Sequence, residues 1–347
     1  MDGTITPNLT HKTTLSSFKT QKFLRECVRK GIEYAVIEAS SQALHQFRLW
    51  GIPFRVAVIT NITHEHLNYH GTMEKYKDSK KALFHNIQTA VLNTADHYFE
   101  EFSQLPTPQK IRYGIGRGDL QALDPAYSKY GTHITLHYGS EQAQVELKLP
   151  GEFNVENTLA ATGAALACGL TISQIAPALQ TFESVPGRME RITSQKGFEV
   201  IVDFGLTPDA LQKLYDTICS TATGRVIGLI GSCGTRDKEK RPVLGRIVAE
   251  HCALTIVTDE EPYTEDPMAI MQAVLEGALS TGKRKGIEVE LIEDRYQAIE
   301  YAVAHAQPGD TIVVTGMGAY TTREMNSGPI PWDEREVVRE IISKYTN

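Results

Sequence analysis

Glu38, a histidine-rich run and Lys80 are the side chains of this sequence best suited to chemistry. Glu38 stands near the end of a short apolar run over residues 34–39, while His64, Glu65, His66 and His70 follow a second apolar run over residues 56–59. Next comes a helical pattern in which Met73, Tyr76, Leu83, Phe84 and Ile87 recur at three- and four-residue steps and share one face. Lys80 falls on that face, whereas Lys77 and Lys81 fall off it. A buried ammonium is disfavoured, so such a lysine snorkels, finds a carboxylate partner, or loses its proton. On the residues alone snorkelling has the stronger claim. The sharper alternative is a neutral Lys80 amine that takes up carbon dioxide and becomes an anionic carbamate. A carboxylate, an imidazole and a carbamate would form a mostly oxygen site suited to magnesium or manganese. Zinc fits less well, because no cysteine stands nearby in sequence and His64 and His66 share a face only in an extended loop. A solvated histidine loop, and a Glu38 that merely neighbours a helix cap, remain open on spacing alone.

These residues need strands that end in loops. Strand, polar loop and helix in that order place ligands at the carboxyl end of a buried strand, where open α/β sheets bind them. A leading loop or short strand opens the chain, and a helix is expected over residues 16–30, with Phe18, Phe23, Leu24, Cys27 and Val28 as its stripe and Gly31 as its stop. Residues 34–39 read as a strand and 43–50 as a helix; after the central stretch, 90–93 read as a strand and 95–102 as a helix. Period-two alternation over residues 120–149, with turns at Tyr130-Gly131 and Gly139-Ser140, predicts an antiparallel meander at a sheet edge. An Ala-rich helix closed by Gly169 and a second helix over 173–182 follow, and Pro186-Gly187 marks a domain boundary. Beyond it, strands over 199–204, 226–230, 254–258, 289–292 and 311–315 alternate with helices, the pattern of a doubly wound, mostly parallel sheet.

A chain of 347 residues allows one large or two ordinary domains with a real core. With 41% hydrophobic and 22% charged residues the composition is that of ordinary soluble domains. A net charge of -7 and a pI near 5.9 argue against a nucleic-acid or membrane-surface partner, while local basic residues can still gather an acidic small substrate. Cys27, Cys168, Cys219, Cys233 and Cys252 are odd in number and form no C-x-x-C pair, which fits reduced thiols. No apolar run reaches membrane-spanning length and the N-terminus lacks signal-peptide regions, so a cytoplasmic protein without membrane insertion is expected.

Ser40 and Ser41 precede a helix, where capping is the simpler role, and the Arg48 guanidinium suits either a surface position or an anion clamp. GSCGTRDKEKRP, from Gly231, lies between a strand and a helix, so its amides could cradle phosphate, although its glycine spacing is not that of a Walker loop. The G-x-x-x-x-G-K string from Gly277 to Lys283 has inverted context, with Arg284 in place of Ser or Thr, and is rejected as a phosphate loop.

VITNITHEHLNYHGTMEKYKDSKKALF, VIEASSQALHQFRLWGI, GEFNVENTLAA, PGRMERI, VDFGLTPDAL and GTRDKEKRPVLGRI together resemble the Mur ligases, most of all the E-type members that add the third peptide residue of the peptidoglycan precursor. The likeness covers almost the whole chain. It implies an α/β protein with an incomplete central Mur-ligase domain over residues 1–185 and a Rossmann-like, doubly wound C-terminal domain over residues 186–347. It also implies an ATP-dependent amide ligase of cell-wall biogenesis, and so of cell shape and division. Such enzymes phosphorylate the terminal carboxylate of a UDP-N-acetylmuramoyl peptide, and an amino acid attacks the acyl phosphate. ATP and Mg2+ are the implied cofactors, and a monomer is expected. Position by position, Glu38 and His66 resemble the family's magnesium ligands and Lys80 its carbamylated lysine. Thr13, Thr14, Ser40, Gln46 and Arg48 match positions that hold the UDP-muramoyl peptide. Asn154 resembles the adenine contact, Arg188 and Asp203 the nucleotide phosphate and ribose contacts, and Lys238 a basic group near the phosphates.

Departures qualify the resemblance. The family's Walker-type loop, its leading strand and the uridine-holding domain belong upstream of the opening helix, so an N-terminally shortened reading of a longer protein, inactive by itself, is expected. The family's D-Y-A-H is here Asp203, Phe204, Gly205 and Leu206; its D-N-P-R is Glu260, Glu261, Pro262 and Tyr263; its G-K-G-H-E is Gly316, Met317, Gly318, Ala319 and Tyr320. The arginine and glutamate that would grip an amino acid are replaced, so the added residue is not assigned. A catalytically silent relative that binds the UDP-peptide or a partner, and another amide ligase of the folylpolyglutamate or cyanophycin synthetase type, are the alternatives.

Overall fold

Helix α1 (Ser17–Arg29) stops where its sequence says it should: Gly31 takes φ +69°, and the amides of Gly31 and Ile32 return to the carbonyls of Val28 and Cys27 at 3.1 and 3.0 Å. The computed structural model describes residue 8, residues 13–63 and residues 67–346, so most of the leading loop and the whole His64, Glu65, His66 run lie outside the described residues. The apolar stripe of α1 does not bury as expected. Phe18 is 91% exposed, Phe23 and Val28 are also exposed, and only Thr20 and Cys27 of the helix are buried. Nor do residues 34–39 form the expected strand. An apolar run becomes a strand only when a neighbour takes its amides and carbonyls, and among the described residues this one has no ladder partner, with Val36 fully exposed.

The chain divides into two compact units. The first comprises Met1–Pro125, Ile134–Val145 and Val155–Pro177, and the second Ala126–His133, Glu146–Asn154 and Ala178–Asn347.

In the first unit, α2 (Ser41–His45) is shorter than expected and continues as turns. Strand β1 (Val56–Ile59) leads towards α3 (Leu67–His70), α4 (Met73–Lys81) and a 3-10 turn (Ala82–Phe84). Then come β2 (Thr89–Asn93), a short α5 (Phe99–Ser103) and β3 (Gln109–Ile115), a strand that sequence periodicity missed. β1, β2 and β3 are parallel neighbours, with Val56 opposite Thr89 and Thr89 opposite Gln109. β3 and β4 (Leu120–Ser128) also pair in parallel across a four-residue link, residues 116–119. The return is tight enough that a Cβ on Gly118, at φ +90°, would lie 2.6 Å from the Arg112 carbonyl oxygen. β5 (Gly131–Tyr138) and β6 (Glu141–Leu147) follow across two-residue links and extend the sheet in the order β4-β5-β6 at its edge, with residues 126–133 and 146–147 of these strands counted in the second unit. Ala57, Ile59, Tyr76, Phe84, Leu92 and Phe102 form a buried core between β1, β2, α4 and α5. Helices α6 (Glu152–Ala167) and α7 (Ile172–Thr181) match the two expected, residues 152–154 of the one and 178–181 of the other being counted in the second unit.

The second unit is the doubly wound sheet its sequence suggests. An unforeseen antiparallel edge, β7 (Glu190–Thr193), precedes β8 (Glu199–Asp203). Next are α8 (Pro208–Cys219), β9 (Val226–Ile230), α9 (Lys240–His251), β10 (Leu254–Val257), α10 (Pro267–Leu279), β11 (Val289–Leu291), α11 (Arg295–His305) and β12 (Thr311–Thr315). A small hairpin, β13 (Thr322–Met325) and β14 (Gly328–Pro331), leads into α12 (Glu334–Thr346). The sheet order is β11-β10-β9-β12-β8-β7. β8, β9 and β12 are buried at every residue, as strands covered on both faces must be. α8, α9 and α10 pack into one core layer and α11 and α12 into the other. β9 and β12 are therefore neighbours whose chains continue to opposite faces, the arrangement that opens a crevice at the carboxyl ends. Among the described residues no helix is long and apolar enough to cross a membrane.

Candidate functional site

Four of the five residues expected to hold the UDP-muramoyl peptide form one network in the first unit. The Thr14 hydroxyl, itself buried, donates to the Glu38 carbonyl at 2.8 Å and accepts from the Ser40 amide at 3.2 Å. Ser40 is the N-cap of α2, its side chain accepting from the Ala43 amide at 3.3 Å. The Arg48 guanidinium reaches back to the Thr14 carbonyl at 3.1 Å, while its Nε donates to Gln46 Oε1 at 2.9 Å. Gln46 in turn donates to the Tyr69 hydroxyl at 2.8 Å. Thr13 is exposed beside them. Tyr69, from the turn of helix after the histidine run, was not singled out by its type or spacing.

Glu38 keeps its side chain exposed, and its backbone is fixed by Thr14. Lys80 is half-buried, with its ammonium 6.0 Å from the centroid of the Tyr76 ring. Lys77 and Lys81, expected off the apolar face, are drawn in by Glu101 of α5 at 2.7 and 2.6 Å, and Lys77 retains only 13% side-chain exposure. Hydrogen bonding to Glu101 raises the pKa of both lysines and lowers that of the glutamate, so these two stay cationic. The loop after β1 is pinned at its start: Asn93 donates to the Thr60 carbonyl at 2.8 Å and Asp96 accepts from the Ile62 amide at 2.6 Å.

Among the described residues no three His, Cys, Asp or Glu side chains cluster as a metal site would require. A magnesium ion beside Glu38 would thus need an oxygen donor of another kind, and a carbamate on Lys80 is such a donor. The fit is one of donor chemistry; His66 lies outside the described residues.

The nucleotide-type residues all lie in the second unit. Asp203, the last residue of β8, accepts from the Met189 amide at 2.8 Å and the Gly205 amide at 2.7 Å. Burial pushes its pKa up, and the two amides and Arg188 pull against that shift. The Arg188 guanidinium sits 4.7 Å over the Phe204 ring. Asn154 donates to the Pro150 carbonyl at 2.8 Å. Lys238 is exposed and pairs with Glu265 at 3.0 Å. Glu265 also accepts from the Thr235 amide at 2.6 Å and from the buried Arg241 at 3.1 Å, which holds its carboxyl at about 2. This glutamate anchors the glycine-rich loop after β9 from thirty residues away, a separation that left no local signal.

Deeper in the crevice, Glu260 is fully buried. The Cys233 thiol donates to its Oε1 at 2.9 Å, Arg323 donates to its carbonyl at 2.8 Å, and its Oε2 has no partner among the described residues. Burial pushes both the Glu260 carboxyl and the Cys233 thiol up; the neighbouring Glu260 raises the thiol further, while the hydrogen bond from Cys233 pulls the Glu260 carboxyl back down.

Fold and site together define an α/β protein with a mostly parallel sheet and a polar cluster in each unit. The Mur ligase middle domain matches residues 2–165, and the Mur ligase glutamate ligase domain matches residues 187–318. The UDP-N-acetylmuramoyl-L-alanyl-D-glutamate--2,6-diaminopimelate ligase of Clostridium botulinum is 36% identical over 337 residues, covering 96% of this chain and 68% of that protein. The UDP-N-acetylmuramyl-tripeptide synthetase of a Roseiflexus species is 36% identical over 357 residues, covering 97% of this chain and 70% of its own length. A solved UDP-N-acetylmuramoyl-L-alanyl-D-glutamate--2,6-diaminopimelate ligase superposes with a TM-score of 0.65 at 30% identity, covering 98% of this chain and 71% of the other. The chain belongs to the Mur ligase family.

Proposed function

We propose that the protein is an ATP-dependent amide ligase that joins an amino acid to a UDP-N-acetylmuramoyl peptide in peptidoglycan precursor synthesis, acting in the cytoplasm as a monomer. The observation that carries this is the Thr14, Ser40, Gln46 and Arg48 network, which presents hydroxyls and a guanidinium suited to an anionic, hydroxyl-rich substrate. Those side chains orient the peptide so that its terminal carboxylate meets the γ-phosphoryl group of ATP, and the incoming amine then attacks the acyl phosphate. Glu38, His66 and a carbamate on Lys80 would hold magnesium. When bound, the ion offsets charge gathered between phosphate and carboxylate. Asn154, Arg188, Asp203 and Lys238 are assigned to the nucleotide. Residues 1–185 form the central domain and residues 186–347 the C-terminal one.

The 347 residues contain no Walker-type loop in a strand-to-helix context, so this polypeptide by itself is expected to bind the UDP-peptide without turning over ATP. Calorimetry with UDP-N-acetylmuramoyl-dipeptide tests the first clause: binding that is lost in Arg48→Ala supports the assignment, and no binding by the folded wild type refutes it. An ATPase assay tests the second, and UDP-peptide-dependent turnover would refute it. A silent relative is favoured by one observation, the replacement of both amino-acid-gripping positions by Tyr263 and Tyr320. A longer form carrying a Walker loop that still ligates nothing would establish it.

A further inference from the structure

Of the four polar residues in the histidine-rich run, His70 is the one the structure describes and the proposed chemistry leaves unused. It is the last residue of α3 and is 6% exposed. Its Nε2 lies 3.0 Å from the Ser41 hydroxyl, at the first residue of α2, and its Nδ1 lies 3.5 Å from the Ser79 hydroxyl on α4. Ser79 already donates its one proton to the Lys75 carbonyl at 2.8 Å. At Ser79 the oxygen must therefore accept and Nδ1 carries a ring proton, so that in the neutral ring Nε2 accepts from Ser41. Tyr69 and Tyr76 close over the ring, with centroids 4.8 and 5.5 Å away.

This imidazole joins two pieces of the site. α2 follows its cap Ser40 and leads into Gln46 and Arg48, while Ser79 is the residue before Lys80. We propose that His70 is a positioning residue that fixes the helix carrying Lys80 against the start of α2. The peptide-binding side chains and the Lys80 amine then keep one spacing. The inference rests on the role given to Lys80 above. It requires His70 to act through its two hydroxyl partners and not through a metal or the substrate.

Competitive acetylation of the native 347-residue protein, read lysine by lysine by mass spectrometry, tests it with Lys77 and Lys81 as internal references. In His70→Ala, labelling of Lys80 is expected to change about fivefold, the factor a lost buried hydrogen bond of ordinary strength produces, while Lys77 and Lys81 stay with Glu101 and hold constant. His70→Asn and His70→Gln each restore one of the two bonds and should recover part of the wild-type value. No change at Lys80, an equal change at all three lysines, or Asn and Gln variants that match Ala would overturn the proposal. If His70→Ala does not fold, Ser41→Ala removes only the donor to Nε2; a smaller change confined to Lys80 is expected, and none would overturn it. Repeating the wild-type measurement with and without bicarbonate separates the two ideas. Lack of protection by bicarbonate refutes the carbamate, and the His70 comparison is judged on its own.

Discussion

Glu334→Ala is expected to cost the second unit about 3 to 5 kcal/mol, because it strands a buried cation. Arg295 and Glu334 both have 0% side-chain exposure. The Arg295 Nε donates to the two Glu334 oxygens at 3.1 and 3.0 Å, Nη1 donates to the Asp259 carbonyl at 3.1 Å, and Nη2 donates to the Thr315 carbonyl at 2.6 Å. One guanidinium thereby ties the ends of β10 and β12 to the first residue of α12. Without the carboxylate, two carbonyl contacts remain to a charge that burial otherwise disfavours. With a urea slope of about 3 kcal/mol/M, the midpoint should fall by about 1 to 2 M. The sequence has two tryptophans, Trp50 and Trp332, and Trp332 Nε1 donates to Glu334 at 2.6 Å, so Trp332 emission in a Trp50→Phe background reports on this network directly. Arg295→Met with Glu334→Leu removes both charges and should recover all but about 2 kcal/mol, the remainder being the two carbonyls left without their donor and the Trp332 Nε1 left without its acceptor. A single variant costing under about 1 kcal/mol, or a double variant no better than the single, would refute the electrostatic account.

Glu265 contributes to stability above the ordinary carboxylate value of roughly 4.3 and loses that contribution as pH falls towards about 2, since its folded pKa is depressed chiefly by the Thr235 amide. Melting temperatures across this acid range should therefore fall less steeply in Glu265→Gln than in wild type; parallel profiles would count against it. Gly316→Ala should lower stability by about 2 kcal/mol or more, since Gly316 has φ +113° and the new Cβ would lie 2.2 Å from the buried Glu260 Oε2; a thermal melt checks it. Dithionitrobenzoate should reach the exposed Cys219 in the native protein but reach Cys233 and Cys252 only on unfolding, because both are buried and burial pushes their thiols up.

Much of this architecture was legible because the signals were local. Continuous apolar runs bounded by turn residues located β1, β8, β9 and β12. The failures concern relations between segments. β3 does alternate, Ile111, Tyr113 and Ile115 against Lys110, Arg112 and Gly114, but the signal is only three apolar residues long and follows Pro106 and Pro108, and its place in the sheet comes from the pairing with β2. Residues 34–39 show the converse, apolar content without a partner. The site follows the same rule. Thr14, Ser40, Gln46 and Arg48 were found through the family resemblance, which encodes which distant residues meet. Glu265 under the loop after β9 gave no signal, and His70 is visible only as a member of the histidine run, because the contacts of both depend on partners that spacing does not reveal.

Three departures from the family pattern, scattered in sequence, are one place in the fold. A Cβ on Gly318 would lie 2.9 Å from that of Phe204, and the Phe204 ring meets Tyr320 edge-on with centroids 4.8 Å apart. Gly316 leaves room for the Glu260 carboxylate, which Cys233 caps from the loop after β9. Phe204 in the first stretch, Glu260 in the second and Gly316, Gly318 and Tyr320 in the third therefore pack as a single surface at the carboxyl ends of β8, β10 and β12. An aspartate at 260 would retreat from the Cys233 thiol, and a smaller side chain at 204 would lose the ring that Tyr320 meets. The replacements are mutually supporting, so they read as one repacked surface and not as the independent decay of three motifs.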